Sequence, residues 1–210
     1  MLTLLLIACN GNQIGEARGI KMSEYFPQDG ERAAVWVNED AAVEWRLRAE
    51  KLPEPTIMND VEVWTWEYFS RTDEDLEKLY SVQWAAPAGD GVQIYGYGAG
   101  EEDITPFDPP IVVAPISDFL DTGEKIETQT GGTTWTVELT EVLATCEVQW
   151  GTLTWQSCAH ITINDGEEND ASDAGFAGEY WQVTQYGTAW FKPSGEETMW
   201  ILLDYEWTES

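Results

Sequence analysis

The sequence predicts an all-β protein: a curved antiparallel sheet, either a half-barrel or a closed barrel, of roughly ten strands with at most one or two short helices. Three observations predict it. From Glu24 onward apolar residues recur with period two rather than 3.6. β-branched and aromatic side chains dominate the alternating runs, as pleated surfaces favour. Turn-forming residues separate the runs.

In chain order, Val43, Trp45 and Leu47 alternate with Glu44, Arg46 and Arg48. The run Val61–Phe69 sets Trp64, Trp66 and Tyr68 on one face, with Val61 and Val63 supplying an apolar opposite face. Tyr80, Val82 and Trp84 alternate with Ser81 and Gln83, and Ile201, Leu203, Tyr205 and Trp207 share a face near the carboxyl end. Asn38-Glu39-Asp40, Gly89-Asp90-Gly91, Gly131-Gly132, Asn164-Asp165-Gly166 and Pro193-Ser194-Gly195 are the turn signals. Short helical turns are expected only at Asp73–Leu79 and Ile116–Leu120. Gly96-Tyr97-Gly98-Ala99-Gly100 reads as a turn. Ala99–Pro115, with Pro106, Pro109, Pro110 and Pro115, is the longest irregular stretch. Such spacing does not separate a half-barrel from a closed barrel.

A length of 210 residues with 43% hydrophobic content suits a single packed domain. Thirty-nine acidic against ten basic residues leave a net charge of −29. A surface so negative repels nucleic acid and anionic lipid heads. It fits an exported protein in saline surroundings, with binding of cations or of a basic partner as the alternative.

At the amino end, Leu2–Ala8 is an uncharged apolar run, too short to cross a bilayer as a helix, which needs about 20 residues. It suits the apolar part of a signal peptide, although no Lys or Arg precedes it, as a start placed too far downstream would explain. Leu6-Ile7-Ala8-Cys9 resembles the lipobox of bacterial lipoproteins. That resemblance implies lipid on Cys9, cleavage before it and anchoring by two or more acyl chains. The expected organisation is a signal peptide over 1–8, a polar tether over 9–23 and one β domain over 24–210. Asn10 after the lipidated cysteine favours the outer membrane.

Setting Cys9 aside leaves Cys146 and Cys158 around EVQWGTLTWQS, a strand–turn–strand pattern. A disulfide across that hairpin is the expectation in an oxidising compartment; two free thiols or a metal site are the alternatives. A loop of this length closed by a bridge contributes roughly 3 kcal/mol in the chain-entropy model.

Catalytic patterns are absent from the sequence. His160 is the single histidine, set on the polar face of an alternating run, and no nucleophile elbow accompanies it. No phosphate-binding glycine loop followed by a helix and no HExxH occurs. The segment Asp165–Asp173 is dense in carboxylates but lacks EF-hand spacing, so a solvated acidic loop is expected over a weak calcium site. No cofactor and no resident metal are expected.

Twelve tryptophans are the informative excess. Trp45, Trp135, Trp200 and Trp207 flank aliphatic neighbours and read as core. Trp64, Trp66 and Tyr68 either fill the core of a sandwich or line a ligand cavity, since their strand is apolar on both faces.

Three further segments resemble a broad group of exported bacterial lipoproteins. Tyr25-Phe26-Pro27 with Gly30 and Trp36 is similar to their opening motif. Pro109-Pro110-Ile111-Val112-Val113 followed by Gly123 and Trp135 is similar to their proline–aliphatic segment. Tyr186-Gly187-Thr188-Ala189-Trp190-Phe191-Lys192 resembles the strand that closes their sheet. The resemblance implies a curved sheet distantly similar to the Lol-type carriers that cradle acyl chains, and it supplies no catalytic residues. The expectation is a non-enzymatic, membrane-tethered envelope lipoprotein that binds an apolar or lipidic ligand or a protein partner. Alternatives are a structural or interaction lipoprotein with a filled core, and a carbohydrate-binding or hydrolytic domain.

Overall fold

Strands alternate direction around the whole molecule. The computed structural model describes residues 32–38, 46–71, 76–85, 91–114, 121–147, 154–165, 174–183 and 187–207. Among these lie β1 (Arg32–Asn38), β2 (Arg46–Lys51), β3 (Thr56–Met58), β4 (Val61–Arg71), β5 (Leu76–Ala85), β6 (Val92–Ala99) and β7 (Thr105–Ala114). The second half adds β8 (Lys125–Thr130), β9 (Thr133–Glu147), β10 (Thr154–Asn164), β11 (Gly178–Val183), β12 (Gly187–Pro193) and β13 (Trp200–Trp207).

These strands form one sheet in the order β7-β6-β5-β4-β2-β1-β13-β12-β11-β10-β9-β8, with the short β3 added beside β4. Every pairing is antiparallel, and all but one join strands that are adjacent in chain order or separated only by the short β3. The exception is β1 with β13, which runs from Arg32↔Trp207 to Asn38↔Trp200 and brings the two halves of the chain together. The two free edges, β7 and β8, lie side by side, and the Val112 amide donates to Thr128 Oγ1 at 3.3 Å across them. The result is a nearly closed, barrel-like meander. Closure removes most of the unpaired edge that an open sheet would present.

The seam has a cause in the sequence. Strand β7 carries Pro106, Pro109 and Pro110, which have no amide hydrogen to give a neighbouring strand. Where the chain can zip, it does: Gly131 and Gly132 take φ of 61° and 86° between Thr130 and Thr133, the backbone a two-residue hairpin turn requires.

Antiparallel order gives the barrel two ends. At the entry end β1 begins, β13 finishes, and the connections β2–β4, β5–β6, β9–β10 and β11–β12 turn. At the far end lie the connections β4–β5, β6–β7, β8–β9, β10–β11 and β12–β13. Alternation then assigns the walls. Trp36, Leu47, Ala49, Tyr80, Val82, Ile94, Ile111, Val137, Leu139, Ile161 and Phe191 belong to one continuous buried cluster inside the barrel. Burying a side chain of this size contributes roughly 1.5–3 kcal/mol. A smaller cluster of Val63, Ala85 and Tyr95, with Met58 and Val61 against it, sits on the outer face of β4 to β6 beneath the β3 hairpin.

Several expectations are corrected. Among the described residues there are thirteen strands rather than about ten. Leu76–Leu79 is strand, where a helical turn over Asp73–Leu79 was expected; β4 holds these residues in a ladder, with Phe69↔Lys78 and Arg71↔Leu76. Gly96–Ala99 belongs to β6 and the turn comes only at Gly100. Most of the stretch read as irregular is β7, paired to β6 on either side of a break at residues 107–110. The closing strand is β13, while Gly187–Lys192 sits inside the sheet as β12. Cys9, the signal peptide, the tether, Trp45, the possible helix at Ile116–Leu120 and the body of the acidic segment, 166–173, lie outside the described residues.

Candidate functional site

The three aromatics singled out on β4 do share a face, and it is the inner one. Trp66 and Tyr68 both pack against the barrel's buried cluster, and Val63 and Thr65 alternate with them toward the outside. Across the ladder Trp64 faces Trp84, Trp66 faces Val82 and Tyr68 faces Tyr80. On the other side Lys51 is the register partner of Trp66, and Ala49 that of Tyr68. The Lys51 ammonium lies 3.5 Å from the centroid of the Trp64 ring, a cation–π contact.

Ring contacts extend this face across the interior. Tyr68 stacks on Tyr80 at 4.5 Å and lies 6.5 Å from Trp36. Tyr80 leads to Tyr97 at 6.0 Å, Tyr97 meets Phe176 edge-on at 5.3 Å, and Phe176 stacks on Trp135 at 4.9 Å. Phe107 completes the group at 6.0 Å from Trp135.

The two sides of the interior differ in solvent access. On β4 to β7 the inward rings Trp64, Trp66, Tyr68, Trp84, Tyr97 and Phe107 are only half-buried. On β9 to β12 their counterparts Trp135, Tyr180 and Phe191 are buried. The described structure therefore carries a strip of partly accessible aromatic surface along one inner wall.

Phe176 fills the opposite side at the far end. It is 1% exposed and sits just before β11, reached from the β10–β11 connection. The Gly175 amide donates to the Tyr97 hydroxyl at 2.9 Å, and the Tyr180 hydroxyl donates to the Phe176 carbonyl. Together these hold residues 174–177 inside the barrel as a plug. Burial pushes the phenols of Tyr68, Tyr80 and Tyr180 up from the ordinary value; for Tyr80 the neighbouring tyrosines and Glu196 add to it.

His160 lies on the outer face of β10, as alternation predicts, but it is buried rather than exposed at the surface. Its ring stacks on Trp181 at 4.1 Å and 8°, and Nε2 pairs with Glu179 at 3.0 Å. Glu141 stands 3.6 Å from Nδ1, and Lys192 lies 3.6 Å from Glu179. These contacts tie β9, β10, β11 and β12 together.

Strands β9 and β10 form the hairpin expected around the two cysteines. Within it Cys158 is fully buried and faces Leu143, and Cys146 faces Trp155. The side chain of Cys146 is not among those described. Of the residues expected in the core, Trp135 is buried and Trp200 packs against the cluster. Among the described residues no group of three or more His, Cys, Asp or Glu is placed to hold a metal ion. No helix among them is long and apolar enough to cross a membrane.

Sequence reasoning missed Lys51, Trp84 as the partner of Trp64, and Phe176. Trp84 had a usable signal in its alternation with Tyr80 and Val82. Lys51 and Phe176 acquire their positions only through cross-strand register and loop insertion.

No family model and no curated protein matches the chain. Among solved structures, the "Crystal structure of a putative lipoprotein" from Parabacteroides distasonis aligns over 87% of this chain and 98% of its own, with a TM-score of 0.37 and 7% sequence identity. A likeness that distant carries no argument about this chain.

Proposed function

We propose that the protein is a non-enzymatic envelope lipoprotein, tethered through lipid on Cys9, that binds an apolar or lipidic ligand inside its barrel. One observation carries the reading: the inward rings of Trp64, Trp66, Tyr68, Trp84, Tyr97 and Phe107 keep partial solvent access along one inner wall. Large aromatic rings on a concave wall offer apolar area without ordering much side-chain freedom, as binding requires. The anchor fits this arrangement. The described chain enters at Arg32, at the same barrel end as Trp64 and Lys51, so a lipidated amino terminus would turn that end toward a bilayer.

The test is uptake of 1-N-phenylnaphthylamine by the mature domain, followed by competition with phospholipid vesicles. Enhanced probe fluorescence that falls in Trp66→Ala and Trp84→Ala supports the reading. A protein that excludes the probe, or takes it up equally in both folded variants, overturns it. A structural or interaction role with a filled interior is the second reading. It is favoured by the Phe176 plug, which already occupies the far end.

A further inference from the structure

We infer that the ligand carries a neutral hydroxyl head, as a long-chain alcohol or a monoacylglycerol does, and that the buried amide of Gln182 receives it. This rests on the proposed apolar-ligand reading and adds the chemistry of the head.

Gln182 lies on β11, one residue before that strand finishes at the entry end. In the ladder with β10 it faces Ala159, as Tyr180 faces Ile161, so alternation sets its side chain on the inner wall with theirs. It is 2% exposed. Its Nε2 donates to Thr188 Oγ1 at 2.9 Å, and Thr188 is also its register partner on β12. Its Oε1 is buried and has no hydrogen-bond partner. Folding strips water from such an acceptor and returns nothing, so native chains keep few of them. A ligand that donates to it would offset that cost.

Trp36 links this amide to the aromatic wall. Its Nε1–H donates to the Thr188 carbonyl at 3.2 Å, and its ring stands 6.5 Å from that of Tyr68. A head held at Gln182 would therefore lay its tail toward the half-buried rings of Tyr68 and Trp66.

The free atom decides the class of head. An acceptor needs a donor, and an ionised carboxylate or a quaternary ammonium has no proton to give. A protonated amine would donate, but its charge would be buried between Ala159 and Thr188, the register partners of Gln182, and neither carries a counter-charge. A hydroxyl donates without charge, and the field of a chain carrying −29 does not oppose its approach.

The experiment titrates the purified protein with decanol, its isomer methoxynonane and decanoate, each below its solubility limit, at pH 8 and 0.15 M NaCl, reading tryptophan fluorescence and calorimetric heat. Decanol should bind about tenfold more tightly than methoxynonane, which has the same atoms but no proton to donate, and decanoate should bind most weakly. Gln182→Met keeps the bulk of the side chain and removes the amide. It should bring decanol down to the level of the ether and leave the ether unchanged. Thr188→Val should do the same by releasing the other end of the amide, and it serves where Gln182→Met fails to fold, as thermal unfolding shows. Three results overturn the head-group inference and leave the apolar-ligand reading standing: equal binding of alcohol and ether by the native protein, tightest binding of decanoate, or an alcohol preference that survives in a folded variant. If none of the three amphiphiles binds, both fail.

Discussion

The backbone of Gly175 lies flat against the Tyr80 ring, so closely that a Cβ at that position would overlap Cδ1, Cε1 and Cγ of the tyrosine. This contact joins the plug to the aromatic wall. Tyr80 sits between Tyr68 and Tyr97, and the Gly175 amide itself binds the Tyr97 hydroxyl. A methyl group here must displace a ring that is packed on both sides. Gly175→Ala is expected to destabilise the protein by roughly 1–3 kcal/mol, the range for overpacking a closed core. In a Tyr80→Leu background the same substitution should cost clearly less, because the ring it meets is gone. Urea unfolding of the four proteins in that cycle measures the coupling. Additive effects would show that the plug does not rest on Tyr80.

How much of this was legible beforehand depended on whether the signal was local. The alternation of Trp64, Trp66 and Tyr68 with Val63 and Thr65 is local, so their common face was readable. So was the hairpin at Gly131-Gly132, since few residues but glycine accept two successive positive φ values. The prolines of β7 misled for a physical reason. They remove donors only where they stand, and the pairing with β6 skips residues 107–110 and resumes at Ile111. The candidate site was legible in half. Its rings follow from periodicity, but nothing local in Ala49-Glu50-Lys51 shows that the lysine comes to lie opposite Trp66. Phe176 is further from reach: a loop residue becomes the plug only once the twelve strands of the sheet path have come together around it.

The tyrosines make alkaline stability a direct report on the interior. Burial raises the folded-state pKa of Tyr68, Tyr80 and Tyr180 above the phenol value of about 10 that the unfolded chain shows. Below pH ~10 both states hold the proton and the stabilisation is fully present. Above it the unfolded state loses protons the folded state keeps, so stability falls as pH rises. The absorbance of Tyr80 and Tyr180 at 295 nm should therefore stay silent above pH 10 until a cooperative unfolding step releases them together. Tyr180→Phe should move that step to higher pH, having removed one of the linked groups. Smooth, independent ionisation of all eight tyrosines without unfolding would contradict the buried ladder.

The seam between β7 and β8 is where the barrel is easiest to open. Among the described residues no backbone ladder joins the two strands, and the Val112 amide turns to the Thr128 hydroxyl at 3.3 Å. Thr128 is a buried polar residue, 8% exposed, and its ladder is with Trp135 on β9. Thr128→Val keeps the shape of the side chain and removes the acceptor, leaving Val112 with an unsatisfied amide next to the core residues Ile111 and Val113. The expected cost is about 0.5–1.5 kcal/mol, the net contribution of one hydrogen bond at a part-buried position. The effect should also be local. Hydrogen exchange at Val112 should accelerate well beyond what the loss of global stability explains, because the seam opens without unfolding the rest. Amides of β10 and β11, held on both sides by ladders, should slow or quicken only with global stability. Equal acceleration of Val112 and of those amides would mean that the seam has no independent motion and that the barrel opens only by unfolding.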